Sequence, residues 1–581
     1  MINKEIKSLI EKIVGDLYRG IKIPDFVVEW PKQKEFGDYA CNVALILAKD
    51  LKKSPMEVAG EIIEKIKSEK GNEEMFKNIT VVNPGFINFK ISDKYLIDNL
   101  DMILKKRCRF GASEIGKGKT VVVDYSAPNI AKPMHVGHLR STIIGQALYN
   151  IYSFLGYKVI SDNHLGDWGT QFGKLIYAYK YWGNRKEIDK NPIEEMTKLY
   201  VRFHKEAEKN PDLEELARKE TKRLQEKDDE NIKIWKYFVK ESLKDYNKIY
   251  KILNVKFDLV LGESYYDEML AGIVNDAQEK KFASKSEGAV VINLDKYNLS
   301  PFLIQKTDGA FLYATTDIAT AKYREEKLKA DKVLYIVANE QALHFQKLFV
   351  VLEVLGIYKN VEKEHVKFGM VLGESGKKFS TRKGETVKLV DLIHRAVELA
   401  QKAVEEKNPK LSRNEKKKIS RTVGLGAIKY NDLSQNRLTD IAFDWDKMLS
   451  FEGNSAPYLQ YTYARINSLI GKFKNLHKLD GINPFEKTNF ELLEEKEEIN
   501  LMRHLIKFPE AVEIAAKENG PHLIALYIYE LASLYNSFYN SLSILKSEKK
   551  VAKARIALSK SVAITLRNGL NLLGIDVLDK M

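Results

Sequence analysis

TVVVDYSAPNIAKPMHVGHLRST, residues 120–142, is the stretch that decides the fold of this chain. Its first residues, Thr120–Tyr125, are mostly apolar and β-branched, which is typical of a buried strand. A loop with two prolines follows, and apolar residues from Leu139 to Phe154 then recur at helical spacing. Gly156 is expected to end that helix, and Tyr157–Ile160 to begin a second strand. A strand, a helix and a strand of this length predict a right-handed βαβ unit in a parallel sheet.

The start of this helix is a candidate site for an anionic ligand. Free backbone N–H groups and the helix dipole attract phosphates there. His135 and His138 lie three residues apart and can each donate a hydrogen bond to one anion, while Lys132 adds a positive charge. Gly137 has no side chain, so a flat ligand such as adenine can approach the backbone. Two histidines at this spacing are often ordinary polar residues at a helix start, but the whole loop favours a nucleotide site.

The composition favours a multidomain globular protein with a polyanionic partner. A chain of 581 residues is too long for one core and predicts three or four domains. Its 94 Lys+Arg against 80 Asp+Glu give a net charge of +14. That excess makes nucleic acid the first candidate partner, although a charge-rich soluble protein could have the same balance.

Cysteine use and hydropathy indicate a cytoplasmic protein without a membrane partner. Only two cysteines occur, Cys41 and Cys108, so neither a disulfide framework nor a Cys/His metal site is expected. The N-terminus has no apolar signal core, and no window approaches the length of a membrane span.

Three further regions carry local signals for secondary structure. At the N-terminus, Ile2–Tyr18 is expected to be an amphipathic helix, and Val81–Phe89 predicts two short strands around a Pro-Gly turn. Past a charged, mostly helical region, strands are expected at the following stretches: Phe257–Val260, Ala289–Leu294, Val333–Val337 and Val366–Val371.

A glycine-rich loop follows the second strand of the βαβ unit. The segment Asp162–Gly173 places His164, Gly166 and Asp167 just after that strand. In open α/β sheets ligands bind beyond the carboxyl ends of the strands, so these three residues are candidate contributors to the nucleotide site. A structural turn that feeds the next helix is the alternative.

The motif P-N-x-A-K-x-x-H-x-G-H-L-R-S-T in residues 128–142 resembles the first signature of class I aminoacyl-tRNA synthetases, in its arginyl-tRNA synthetase form. Further similar strings extend to the C-terminus, where LLGIDVLDKM matches the family's ending. The resemblance implies a Rossmann-type parallel-sheet catalytic domain with a helical insertion, an N-terminal α+β domain and a C-terminal all-α bundle. It also implies that ATP, Mg²⁺, L-arginine and tRNA-Arg are the ligands.

Domain boundaries follow from combining the motifs with the composition. An N-terminal tRNA-elbow domain is expected at 1–112, and the catalytic domain at 113–395 with a helical insertion at about 177–255. A helical connector at 396–450 and an anticodon-binding bundle at 451–581 are expected to follow.

A second stretch, residues 373–384, resembles the other class I signature, K-M-S-K-S, in its arginyl form. Lys378, Ser380 and Arg382 are the expected catalytic residues there, because such a loop can close over a triphosphate with its cations on the leaving pyrophosphate. Thr381 replaces the second lysine of the general signature, so another cation must do its work. Lys132, Arg382 and Lys383 are the candidates.

The expected arginine site lies around residues 305–319. Tyr313 and Asp317 are four apart and share a face if a helix begins there. A guanidinium needs a carboxylate that can accept parallel N–H bonds, and the resemblance assigns this to Asp317, with Tyr313 lining the pocket. It adds further positions: Asp124, Asn129 and Gln341 as arginine contacts, and Gln341 and Met370 as ATP contacts.

Two regions are expected to contact tRNA. Phe36, Tyr39 and Asn83 could stack on or bond to splayed bases of the tRNA elbow, although such aromatics are also common in the core of a small domain. In the C-terminal bundle, Tyr458, Tyr461 and Met581 are candidates for contacts with anticodon bases.

The predicted reaction is that of a monomeric arginine–tRNA ligase. The arginine carboxylate attacks the α-phosphate of ATP, and a hydroxyl of the terminal adenosine of tRNA then attacks the adenylate. By resemblance, that hydroxyl is the 2′-OH and activation requires bound tRNA. The alternatives are a class I synthetase for another amino acid, a small nucleotidyltransferase and a non-catalytic tRNA-binding paralogue.

Overall fold

The computed structural model describes residues 1–31, 33–372, 387–479 and 483–581, with Lys34 described through its backbone alone. It contains an N-terminal α+β part, a central part around a parallel sheet and a C-terminal helical part. The fold class predicted from the sequence is therefore confirmed.

The N-terminal part is a four-stranded antiparallel sheet with helices packed on it. Its strand order is β1-β2-β4-β3. The turn between β3 and β4 is the predicted Pro84-Gly85 turn. The elements are α1 Ile2–Leu17, β1 Val28–Glu29, β2 Tyr39–Cys41, α2 Val43–Leu51, α3 Pro55–Ser68, α4 Asn72–Met75, β3 Phe76–Val82, β4 Phe86–Ile91 and α5 Asp93–Lys106.

The central part contains the predicted βαβ unit. The elements are β5 Thr120–Asp124, α6 Val136–Phe154, β6 Lys158–Asp162, α7 Thr170–Trp182, α8 Arg185–Lys190, α9 Pro192–Lys209, α10 Asp212–Gln225, α11 Asp229–Leu253, α12 Asp267–Glu279, β7 Ala283–Ser286, β8 Ala289–Ile292, β9 Phe302–Gln305, α13 Tyr313–Glu326, β10 Lys332–Tyr335, α14 Ala342–Leu355, β11 Glu362–His365 and β12 Val371–Leu372.

Four of these strands form the parallel sheet, in the order β11-β10-β5-β6. β5 lies in the middle, and all five of its residues are buried. That burial explains its continuous apolar pattern, because a parallel strand is covered on both faces. The carboxyl ends of β5, β6 and β10 meet at one edge, from which the loops of the candidate site extend.

Two strand predictions need correction. Phe257–Val260 pairs with β6 only through a bridge between Leu259 and Asp162, because the Asp258 carboxylate takes the Ser161 N–H at 2.9 Å. Val366–Val371 is a strand only at Val371, because the Gly369 N–H donates to the carbonyl of Arg437 instead of to β10. The predicted strand at Ala289–Leu294 is confirmed as β8, which belongs to a separate antiparallel sheet with β7 and β9.

The C-terminal part is helical. Its elements are α15 Leu389–Lys407, α16 Arg413–Leu433, β13 Ile441–Ala442, α17 Trp445–Leu449, α18 Ala456–Leu476, α19 Lys496–Leu505, α20 Phe508–Lys517, α21 Pro521–Ser541 and α22 Lys549–Leu572. α22 is buried along most of its length and packs against α18, α19 and α21 as well as α5 and α6. In the described part of the chain, no helix combines the length and apolar character needed to span a membrane.

Glu510 on α20 joins the two ends of the chain. Its carboxylate accepts hydrogen bonds from the Tyr39 hydroxyl at 2.9 Å, the Trp30 indole N–H at 2.7 Å and the Asn3 backbone N–H at 3.0 Å. Burial raises the pKa of Glu510. The expectation that Tyr39 stacks on a tRNA base is wrong, because its side chain is fully buried in this contact.

Candidate active site

A buried arginine fixes the carboxyl ends of β5 and β6. The Arg324 guanidinium on α13 donates to Asp124 at 2.8 Å and to Asp162 at 2.7 Å. The two carboxylates hold the pKa of Arg324 well above its ordinary value despite burial. The Asp124 carboxylate is thus paired with Arg324 through Oδ2, and its predicted contact with arginine stays a prediction.

The loop between β5 and α6 adopts an unusual backbone conformation. Ser126, Ala127 and Ala131 all have positive φ angles, of 74°, 46° and 62°. Such angles cost about 1–3 kcal/mol per non-glycine residue and persist only where neighbouring groups impose them. α11 supplies two of these groups: the Tyr250 hydroxyl lies 2.9 Å from Ser126 Oγ, and Ser242 Oγ accepts the Ala131 N–H at 3.1 Å. The helical insertion therefore holds the loop in shape.

Both histidines of the first signature are oriented by backbone N–H groups. His138 Nδ1 accepts the His135 N–H and His135 Nδ1 accepts the Gly137 N–H, both at 3.1 Å. Burial, followed by the nearby His135, lowers the pKa of His138 to about 3. His138 is therefore neutral near pH 7, with its proton on Nε2 and available to a ligand. A side chain at Gly137 would collide with the His135 ring, at 2.9 Å.

A cavity of about 290 Å³ opens beside these histidines. It lies between the start of α6 and the segments after β10 and before β12, and its other lining residues include Ala338, Glu340 and Met370. Gln341 is exposed and does not line this cavity; Glu340 occupies that place, which corrects the expected ATP contact of Gln341. Lys132 is exposed, with its Nζ 5.7 Å from the centre of the Tyr200 ring.

The glycine-rich loop after β6 packs against the signature loop. Gly166 forms a parallel bridge with Asn129, and a Cβ at Gly166 would lie 2.1 Å from Asn129 Oδ1. His164 Nδ1 is buried without a hydrogen-bond partner among the described residues, as expected of a group that faces a ligand.

Asp167 has a different place from the one predicted. It is buried, and its carboxylate accepts the Ser264 backbone N–H at 2.9 Å and hydroxyl at 2.7 Å. It thus anchors the loop after Gly262, and the predicted nucleotide contact is wrong.

A second group of candidate residues, called the acidic pocket below, lies at the start of α13. Asp317 Oδ2 is 2.7 Å from His344 Nε2, and the Tyr313 ring is 5.0 Å from the His344 ring. Burial, then Asp317, then Asp167 raise the pKa of Glu263 to about 8, so two carboxylates share the pocket. Sequence reasoning missed Glu263 and treated His344 as equally suited to packing. The only local signal was the position of His344, which follows Asn339 at the start of the helix after β10.

At the far end of the chain, Tyr458, Tyr461 and Met581 line one cavity of about 680 Å³. Arg465 lies with its guanidinium carbon 4.9 Å from the centre of the Tyr461 ring. Aromatic faces beside a guanidinium suit unstacked bases. In the N-terminal part, Phe36 and Asn83 are exposed.

The remaining predicted catalytic residues, Lys378, Ser380 and Arg382, lie outside the described residues.

Three family profiles match nearly the whole chain. The profile of the class I tRNA synthetase (R) catalytic domain matches residues 99–445, the DALR anticodon binding domain matches 459–581, and the arginyl tRNA synthetase N-terminal domain matches 2–91.

Individual proteins are similar over their full lengths. An arginine–tRNA ligase of Fusobacterium nucleatum is 44% identical, over 100% of this chain and 99% of its own. The solved structure of an arginyl-tRNA synthetase from Plasmodium falciparum superposes with a TM-score of 0.81 at 29% identity, covering 100% and 99% of the two chains. The enzyme from Thermus thermophilus has the same fold, with a TM-score of 0.81 at 23% identity and complete coverage of both chains.

Proposed function

Because the chain belongs to the arginine–tRNA ligase family of class I aminoacyl-tRNA synthetases, an enzyme family that uses arginine, ATP and tRNA, we propose how its residues divide the reaction. The observation that carries the proposal is the position of the histidine-lined cavity and the acidic pocket at the same edge of the parallel sheet. The histidine-lined cavity suits a nucleotide, and the acidic pocket suits a cation.

In the first step, ATP binds with its adenine in the cavity beside Gly137 and Met370. Neutral His138 and His135 donate Nε2–H bonds to phosphate oxygens. Positioned donors of this kind stabilise the charge that develops at the α-phosphate. Lys132 and, from the second signature, Lys378, Ser380 and Arg382 act on the leaving pyrophosphate.

Mg²⁺ enters as the complex with ATP. Among the residues that the structure describes, no three His, Cys, Asp or Glu side chains form a group that could hold a metal ion. Magnesium is commonly held by substrate phosphates together with few protein ligands, which fits this set of residues. When bound, the ion neutralises phosphate charge.

Arginine binds with its guanidinium between Asp317 and Glu263 and against the ring of Tyr313. Because His344 already contacts one Asp317 oxygen, the bidentate contact predicted for Asp317 alone is replaced by contacts to two carboxylates. Asn129, in the signature loop, lies towards the α-ammonium and carboxylate end of the bound arginine. An uncharged competitor leaves these carboxylates unpaired, which provides selectivity.

In the second step, the 2′-OH of the terminal adenosine of tRNA-Arg attacks the adenylate. The N-terminal domain, 1–112, holds the tRNA elbow through Phe36 and Asn83. The bundle, 451–581, binds the anticodon loop in the cavity of Tyr458, Tyr461 and Met581. The enzyme acts in the cytoplasm as a monomer, and arginine activation requires bound tRNA.

The test is arginine-dependent exchange of labelled pyrophosphate into ATP, with and without tRNA-Arg, beside Asp317→Ala and a control with lysine as substrate. Exchange with arginine alone among amino acids, in the presence of tRNA, and its loss in Asp317→Ala are expected. Exchange without tRNA would remove the tRNA requirement only. Absence of exchange with every amino acid would favour the non-catalytic tRNA-binding paralogue.

A further inference from the structure

A cavity far larger than the nucleotide cavity lies where the N-terminal part meets the C-terminal bundle. Its volume is about 1170 Å³. Its walls come from α5 and the following turn, Arg107–Arg109, from α18 and α22, and from residues 483–487. Among the residues that the structure describes, none of those predicted to be catalytic, arginine-binding or tRNA-binding lines it.

The cavity is strongly basic. Cationic side chains reach it from every wall: Lys105, Arg107, Lys474, Lys487, Lys560 and Arg567. Of the described carboxylates, only Asp101 and Glu486 line it with them. Converging cations in a concave, partly desolvated site create a positive potential that attracts anions.

These cations are not used by the fold. Within the described ranges, none of the six side chains makes a hydrogen bond or an ion pair with the protein, although much of the surface is paired. Burial, together with the charges of Arg567, Arg107 and Lys474, lowers the pKa of Lys560, while Asp579 opposes this. Lys560, Arg567, Arg107 and Lys474 therefore lie close enough to repel one another, and Asp579 offsets only part of that repulsion.

The cavity floor is built rather than accidental. The Asn568 amide on α22 donates to the carbonyls of Arg107 at 2.9 Å and Phe110 at 3.0 Å. These bonds fix the turn that carries Arg107 against the helix that carries Lys560 and Arg567. Because like charges held this way are costly, a bound anion would relieve the repulsion.

We propose that this cavity is a second anion site, which binds phosphate groups between Arg107, Lys560 and Arg567. Phosphate is the anion best matched by several converging lysines and arginines. Two sources share this chemistry, a free polyphosphate and the backbone of bound tRNA. The tRNA source rests on the proposed function, whereas the free source does not.

Cys108 provides a reporter inside the cavity. Its side chain is exposed and lines the wall, whereas the other cysteine, Cys41, is fully buried, which raises its pKa to about 12. The rate at which the uncharged reagent N-ethylmaleimide modifies Cys108 is measured alone, with inorganic tripolyphosphate and with a tRNA-Arg transcript, at constant low ionic strength.

Protection of roughly fivefold or more by either ligand is expected, and it should disappear in the double variant Lys560→Gln/Arg567→Gln. Protection by tripolyphosphate assigns a free polyphosphate, and protection by tRNA alone assigns backbone phosphates. If only tRNA protects Cys108, the double variant should also reduce the slope of log K against log salt concentration for tRNA binding. The reduction should correspond to about one to two fewer released counterions.

The matched control is Lys549→Gln/Lys550→Gln, which removes the same charge from the exposed start of α22 outside the cavity. Lys560→Arg keeps the positive charge and should retain the protection of Cys108. Retained protection shows that a substitution in the cavity leaves the protein folded. No protection by either ligand, or protection that survives the double variant, overturns the inference. Pyrophosphate exchange by the unsubstituted protein at saturating tRNA-Arg separates this failure from failure of the proposed function. Exchange without protection of Cys108 would remove the cavity site and leave the proposed reaction standing.

Discussion

His344 Nε2 lies 2.7 Å from Oδ2 of Asp317, so the helix after β10 orients a carboxylate on the helix before it. The same histidine stacks on Phe302 with ring centres 5.8 Å apart, which leaves it little freedom to turn away. The carboxylate that we propose recognises the guanidinium thus depends on a neighbour 27 positions later in the chain.

Replacement of His344 by alanine should weaken arginine binding. The Asp317 carboxylate would lose a hydrogen bond to a charged group, worth about 1.5–3 kcal/mol, and its orientation. We expect the KM for arginine in pyrophosphate exchange to rise by about tenfold or more, with the KM for ATP little changed. His394→Ala, at an exposed position on α15, is the control. An unchanged arginine KM would contradict this role.

Arginine affinity should increase as the pH rises from 6.5 to 8.5. Glu263 carries a proton below its raised pKa of about 8, and a bound guanidinium would favour the charged carboxylate and lower that pKa. Binding therefore releases a proton and becomes tighter at higher pH. Calorimetry in buffers with different ionisation enthalpies measures the released proton. Glu263→Gln should bind arginine more weakly and without this pH dependence; a persisting dependence would assign it to another group.

The rate of activation should not fall on the acid side because of His138. Its pKa of about 3 keeps it neutral across the assay range of pH 5.5 to 8. The exchange rate is measured at saturating arginine and ATP between pH 5.5 and 8. The wild-type protein should show no pH-dependent change in rate that is absent from His138→Gln. His138→Ala should lower the rate by about 10²-fold or more through loss of a donor to the phosphate. Recovery of activity by His138→Ala at low pH would show that a protonated group can replace His138. That result would contradict the role of a neutral donor.

Removal of Asp432 should destabilise the whole catalytic core. Arg140, on the signature helix, is fully buried and donates two hydrogen bonds from Nε and Nη2 to Asp432 on α16, at 3.1 Å and 3.0 Å. Leaving such a charge buried and unpaired costs about 3–5 kcal/mol. Thermal unfolding of Asp432→Ala should therefore shift to a clearly lower temperature.

The matched control for this stability test is Asp25→Ala. It breaks an exposed pair with Lys7 that contributes about 0–1 kcal/mol. Similar melting temperatures for the two variants would show that the buried pair is not a stabilising link.

Tyr461→Ala should affect tRNA and not the small substrates. The side chain is 39% exposed at the cavity that Met581 closes, so it is available to stack on a base. Loss of one stacking contact costs about 1–3 kcal/mol, which predicts a several-fold to hundredfold higher KM for tRNA-Arg in arginylation. Tyr297→Ala, at an exposed position in the catalytic domain, is the control. Equal effects of both variants would contradict a specific contact.

Local patterns in the sequence determined a large part of this protein. The βαβ unit around residues 120–160, its parallel pairing and the His135–His138 helix start follow from apolar periodicity and turn residues, which act over a few positions. The N-terminal helix and the Pro84-Gly85 turn follow in the same way. Strand ends were harder to predict, because Asp258 and Gly369 divert backbone hydrogen bonds to partners outside the sheet.

Tertiary structure alone decided which polar residues face a ligand and which support the fold. Asp124 and Tyr39 have the residue types of a binding site, yet Arg324 and Glu510, 200 and 471 positions away, bury them in structural contacts. Glu263 and Asp317, in contrast, share a pocket that no spacing indicates. The physical reason is that burial and charge pairing depend on which distant elements pack together, whereas secondary structure depends mainly on neighbours along the chain.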